Sequence, residues 1–198
     1  TVGYGRIYRI TPKDKTLTVP EIDLSTTDGQ IQALMSPAIN VRNQGFVLLR
    51  EQGSIVLEEV KALLDAENSY HRARAVWLMA QLGEEGVYEV EQLLKADDSR
   101  LRTVAFRALK SVQSDDWLKY AESLVKDNNP AVRREVALSL RDVSLEQSKA
   151  LIKELVEGFD GQDQWYLEAL GIAMEGKEEQ LYPELARIHG NANPEEWS

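Results

Sequence analysis

The chain has 198 residues, 43% of them apolar, which is enough for a continuous core, and a formal charge of −10 from 23 basic and 33 acidic residues. These charges are interspersed, so the chain lacks the positive field that nucleic acid or an anionic membrane requires, and no apolar run approaches the length that crosses a bilayer. Cysteine is absent, which excludes disulfides, thiolate metal sites, covalently attached haem and a cysteine nucleophile.

The chain begins at Thr1 without an initiator methionine or a signal peptide and reads as a processed or excised piece. Residues Gly3 to Ile10 are rich in strand formers, and Thr11-Pro12-Lys13-Asp14 supplies a turn. A strand without a partner has open edges, so pairing of this arm with a second copy is expected. Lys15 to Leu24 reads as extended, with Pro20 barring an early helix. Ser25-Thr26-Thr27-Asp28 offers helix-start caps for a short helix over Gln30 to Met35, and Ser36-Pro37 opens the next one.

From there a helical period takes over. Helices are predicted over 38–52, 54–65, 69–82, 85–96, 99–112, 115–127, 130–142, 145–157, 163–175 and 178–189, each with an apolar stripe such as Val56, Val60, Leu63 and Leu64. Gly53, Gly83, Gly158 and Gly176 stand where left-handed stops are expected, and Ser54, Ser69, Ser99, Ser114 and Ser144 where caps are expected. Pro183 falls inside the last helix, where it is awkward.

One stretch recurs about every 30 residues: Asn40 to Leu49, His71 to Met79, Leu101 to Leu109 and Val132 to Leu140. Each copy has an arginine near its start. Three positions later stands a small residue (Gly45, Ala75, Ala105) or, in the last copy, Val136. A helix pair of this size cannot bury its own stripe, so neighbours must stack. Small residues would let helices approach where a larger side chain overpacks. The expected fold is all-α: a right-handed α-α superhelix of about five pairs with a short N-terminal β-arm.

The repeats resemble HEAT-like repeats of the compact, short-period kind, through Asp127-Asn128-Asn129-Pro130-Ala131-Val132-Arg133 and Asp97-Asp98-Ser99-Arg100-Leu101-Arg102. Three blocks are more specific: Gly5 to Ile10, Ser36 to Arg42, and Gly161-Gln162-Asp163-Gln164-Trp165-Tyr166-Leu167-Glu168-Ala169-Leu170-Gly171-Ile172. They resemble the middle of the large exported PVC-type haem-binding proteins of planctomycetes, verrucomicrobia and some relatives. That resemblance implies a sugar-dehydrogenase-like β-propeller before the array and a cytochrome c module after it. It also implies a periplasmic or exported location, and it makes residues 1–19 an arm from the propeller, 20–190 the helical domain and 191–198 a frayed tail. The Cys-x-x-Cys-His haem motif is absent, so no cofactor role is carried over to any residue.

Two constellations are candidates for function. Arg42, Arg72, Arg102 and Arg133 occupy one position per repeat. They could form a ligand-reading ladder, as in HEAT-like DNA glycosylases, or a structural ladder bonding back to the preceding loop. Asn68, Asp98 and Asn129 stand four residues before an arginine, and the acidic charge opposes a phosphate ligand, so the structural ladder is preferred. The second is Phe159 to Tyr166, where Asp160, Asp163, Trp165 and Tyr166 suit a contact with a neighbouring domain; Asp163 could cap the next helix, and of the adjacent aromatics at most one need lie deep in the core.

The remaining polar residues point to no chemistry. His71 and His189 are too far apart for a shared metal. The acid pairs Glu58-Glu59, Glu84-Glu85, Asp97-Asp98, Asp115-Asp116 and Glu178-Glu179 fall at helix ends or on exposed faces. Asp14-Lys15 and Asp127-Asn128-Asn129 are too sparse for a calcium loop. No catalytic, cofactor or metal residue is therefore assigned. The expected function is a non-catalytic scaffold or spacer between neighbouring domains. The alternatives are a stand-alone peptide- or protein-binding module and, requiring a pocket of convergent polar groups, a HEAT-like lyase or glycosylase.

Overall fold

A computed structural model of the chain describes residues 12–16, 18, 20–113 and 116–188, with side chains described as far as 185. The helices are α1 (Thr27–Met35), α2 (Ile39–Gln52), α3 (Leu57–Lys61), α4 (Ser69–Met79), α5 (Glu84–Gln92), α6 (Ser99–Val112), α7 (Leu118–Leu124), α8 (Pro130–Ser139), α9 (Leu145–Glu157), α10 (Gln164–Met174) and α11 (Glu178–Ile188). The described residues contain helices and turns but no strand. The expected β-arm over Gly3 to Ile10, its pairing with a second copy, and the tail 191–198 lie outside them.

The helices alternate between two layers. In one, α2, α4, α6, α8 and α10 pack in succession; in the other, α5, α7 and α9 each lean on the two helices they connect, α3 packs on α4, and α11 packs on α9. One apolar core runs the length of the array from Leu34 to Leu181, with Phe106, Leu109, Leu140, Ile152 and Tyr166 among its fully buried members. The helical stripes therefore bury one another in sequence, as a repeat array requires.

Close approach is built in where the small residues stand. Gly45 of α2 lies against α1 so tightly that an added Cβ would meet the Gln30 carbonyl at 2.5 Å and the Leu34 nitrogen at 2.6 Å. Ala75, Ala105 and Val136 are fully buried at the corresponding points.

Several expected boundaries are corrected. The predicted helix over 54–65 is three pieces: a 3-10 turn (Gly53–Val56), α3, and a second 3-10 turn (Ala62–Asp65). The helix predicted over 85–96 likewise ends in a 3-10 turn at Leu93–Lys95. Tightening the last turn lets Ala66 and Ala96 donate to the carbonyls of Leu63 and Leu93, satisfying groups an α-helix end would leave open. Helix α4 stops at Met79, α8 at Ser139 and α7 at Leu124, each short of its predicted end. Helix α1 begins earlier than predicted, because Thr26 caps it by accepting from the Gly29 N–H at 3.1 Å.

The serine caps are also corrected. Ser69 and Ser99 are the first helical residues, and the capping side chains belong to Asn68 and Asp98 before them, which accept from the Tyr70 and Arg100 N–H groups at 2.9 Å. Asn129 and Asp163 cap α8 and α10 in the same way. An Asx side chain on extended backbone reaches the second helical N–H, so it takes the position from the serine that follows. Ser144 does cap α9, Ser54 sits in a 3-10 turn, and Ser114 lies outside the described residues. Gly53, Gly83 and Gly176 have positive φ as expected, but Gly158 is right-handed at φ −80°.

At the far end Lys177 is buried and donates its three ammonium protons to the carbonyls of Leu140, Arg141 and Ala173 at 2.8–3.0 Å. Burial pulls this ammonium below its ordinary pKa, against the smaller opposing influence of Asp142 and Glu178. One side chain thus ties the C-terminal ends of α8 and α10 together.

Candidate functional site

The arginine row divides. Arg102, on the second turn of α6, uses all five N–H groups. Nη1 donates to the Ala96 and Asp97 carbonyls at 2.7 and 3.0 Å, Nε and Nη2 grip the Asp127 carboxylate at 2.7 Å each, and Nη2 also reaches Asn128 Oδ1 at 3.1 Å. The Arg102 and Asp127 side chains are 10% and 7% exposed. Burial alone would raise the Asp127 carboxyl, but Arg102, the Asn129 N–H and Arg133 together bring it below the ordinary aspartate value. Arg72 repeats the loop contacts through Ala66 and Glu67, with Asp98 of the next loop at 3.7 Å. Arg133 donates to the Asp127 carbonyl behind it and to the Gly158 carbonyl ahead, and lies 5.3 Å over the Tyr166 ring.

These three arginines hold the loop before their own helix and also reach the loop that follows the next helix. The forward reach is what sequence reasoning missed. Its signal was the recurrence of an acid, Asp98 and Asp127, in the loops about one repeat ahead. The right-handed backbone of Gly158 belongs to the same device, because its carbonyl is turned toward Arg133. Arg42 departs from the row: its side chain makes no hydrogen bond or ion pair with the described residues and instead lines a pocket between α2 and α4.

The four residues of the expected contact region also separate. Asp163 caps α10, accepting from the Trp165 and Tyr166 N–H groups, with Arg134 at 3.8 Å. Tyr166 is buried, its hydroxyl donates to the Leu155 carbonyl at 2.9 Å, and its ring stacks on Phe159 at 5.5 Å. Asp160 and Trp165 face outward, Trp165 being 71% exposed. Asp160 stands on the rim of an apolar trough of about 750 Å³ lined by Phe159, Leu167, Leu170, Met174 and Leu185, between α10 and α11. Trp165 lines a separate groove with Arg134, Leu138 and Ile172.

The other polar candidates remain dispersed. Among the described residues no group of three or more histidine, aspartate or glutamate side chains is arranged to hold a metal ion, and no helix is long and apolar enough to cross a membrane. Glu58, Glu59, Glu84 and Glu85 are exposed, and His71 contacts Asn68 at 3.4 Å. His189 and Asp115 lie outside the described residues.

Stacked helix pairs, Asx caps and an arginine bridging successive loops form one repeating unit. Residues 89–175 match the family model for HEAT repeats. The matched segment runs from within α5 to the end of α10 and includes the Arg102 and Arg133 bridges and the Asp163 cap. No curated protein matches the chain. Among solved structures the chain is similar to a crystal structure of an engineered protein from the Northeast Structural Genomics Consortium. The identity is 18% over 77% of this chain and 79% of that one, with a TM-score of 0.43.

Proposed function

We propose that this array is a non-catalytic HEAT-like scaffold and interaction module that holds neighbouring parts of a larger protein at fixed spacing. The observation that carries the reading is an exposed apolar trough between α10 and α11. Leu167, 55% exposed, and Leu170, Met174 and Leu185 form an apolar trough continuous with the core. Asp160 lines it, and exposed Trp165, an aromatic anchor of the kind that interfaces favour, lines a separate groove of α10. The interior also supports it: the charged side chains buried among the described residues, Arg102 and Lys177, direct their N–H groups to internal partners.

The resemblance of the Gly5, Ser36 and Gly161 blocks extends the proposal. The neighbours would be a sugar-dehydrogenase-like propeller and a cytochrome c module of an exported oxidoreductase. The test is capture of separately expressed propeller and cytochrome modules by the immobilised 198-residue chain. Binding of either, abolished by Leu167→Glu, is the expected result. Binding of neither would sink the spacer reading in favour of an independent module.

A further inference from the structure

At the opposite end of the molecule, Arg74 of α4 reaches across to the end of α1. Its Nη1 donates to the carbonyls of Leu34 and Ser36 at 3.0 and 3.3 Å. The remaining edge, Nε and Nη2, has no partner among the described residues. Arg102 shows what this edge does when it is filled. There Nη1 also holds two carbonyls, while Nε and Nη2 bind both oxygens of a carboxylate at 2.7 Å. Arg74 has the same half of the arrangement and lacks the carboxylate.

The space beside it is a pocket of about 290 Å³ lined by Leu34, Ile39, Arg42, Phe46, Arg74 and Trp77. Arg42 is a second guanidinium without an acidic partner, in a chain whose formal charge is −10. Burial first, and then the charge of Arg42, draw the Arg74 guanidinium below its ordinary pKa. Two like charges set together against apolar walls are unfavourable until an anion joins them. A planar carboxylate matches the guanidinium fork, and the half-buried rings of Phe46 and Trp77, with Ile39 72% exposed at the rim, supply apolar contact for what is attached to it.

We propose that the pocket of Arg42, Arg74, Phe46 and Trp77 binds a glutamate or aspartate side chain of an extended partner peptide, with an apolar neighbour of that acid seated on the two rings. The assignment is independent of the spacer reading, since it needs neither flanking module.

The test is an NMR titration of the full chain, isotopically labelled, with N-acetyl-Leu-Glu-Leu-amide, its glutamine counterpart, and propionate. The expected result is a saturable shift of the Arg74 Nε–H and the Trp77 indole N–H with the glutamate peptide. The glutamine peptide and propionate should each bind about tenfold more weakly, because one lacks the charge and the other the apolar contact. Arg42→Gln, which removes no hydrogen bond within the described residues, should weaken the glutamate peptide by a similar factor while leaving the fold intact. Absence of a saturable shift, equal binding of the glutamine peptide, or unchanged affinity in Arg42→Gln would each overturn the assignment. Propionate binding as tightly as the peptide would overturn the peptide as its ligand.

Discussion

Residues that are equivalent by sequence position carry unequal weight. Arg102 and Arg42 occupy the same place in their repeats, yet Arg102 is saturated and buried while the Arg42 side chain has no hydrogen-bond partner among the described residues. Truncating Arg102 leaves Asp127 buried and unpaired, so Arg102→Ala should lose about 3–5 kcal/mol in urea denaturation, whereas Arg42→Ala should change stability by less than about 0.5 kcal/mol. Asp127 gives the pair a pH signature. Its folded pKa lies below the ordinary 3.8. Its contribution is therefore fully present above that value and disappears as pH falls through the folded one. The stability gap between the native chain and Asp127→Asn should be wide at neutral pH and should narrow at pH values below about 3.8. A gap independent of pH would show that the carboxylate charge contributes nothing.

Elements are set by packing contacts at least as much as by their own sequences. Helix α2 tolerates Gly45 in its middle, at a cost of roughly 1 kcal/mol relative to alanine in an isolated helix. In this fold the sign reverses, because a Cβ would meet α1 backbone at 2.5 and 2.6 Å. Gly45→Ala should therefore destabilise by about 1–3 kcal/mol, measured as a lowered melting temperature. The same distinction explains what was legible beforehand. Helices α6 and α9 carry strong stripes and clear stops, and their observed bounds coincide with the predicted 99–112 and 145–157. Helices α3 and α5 run into 3-10 turns and α7 stops early, each leading into a loop gripped by an arginine, and periodicity does not record that constraint. Serine and the preceding Asx are both good caps, so composition could not choose between them; extended backbone at Asn68 and Asp98 did. The arginine row was visible as a period. Its partner Asp127 stands a full helix pair away from Arg102, a separation that only the stacking geometry closes. The Arg42–Arg74 pocket had no sequence signal, since the position of Arg74 holds Gln44, Val104 and Glu135 in the other copies.

The whole molecule is held together by contacts between successive pairs. Arg72 reaches Asp98, Arg102 reaches Asp127, Arg133 reaches Gly158, and the surface pairs Arg107–Glu135 and Arg141–Glu175 follow the same rule. Stability in such an array is a sum of local units and their junctions, so opening should begin at the ends. Hydrogen exchange under native conditions should protect the amides of α6 and α8 most and those of α11 least; uniform protection along the chain would show a single cooperative block instead. The bridging arginines have a mechanical consequence as well. Pulled along its length, the array behaves as hinges in series, and tension distributes by compliance. The hinge locked by Arg102 and Asp127 is stiff, whereas Arg74 bridges α4 to the end of α1 through two carbonyl contacts and no ion pair. Bending under load should therefore be shared unequally, more of it falling at the junction of α1 with α4 than at the one closed by Arg102 and Asp127.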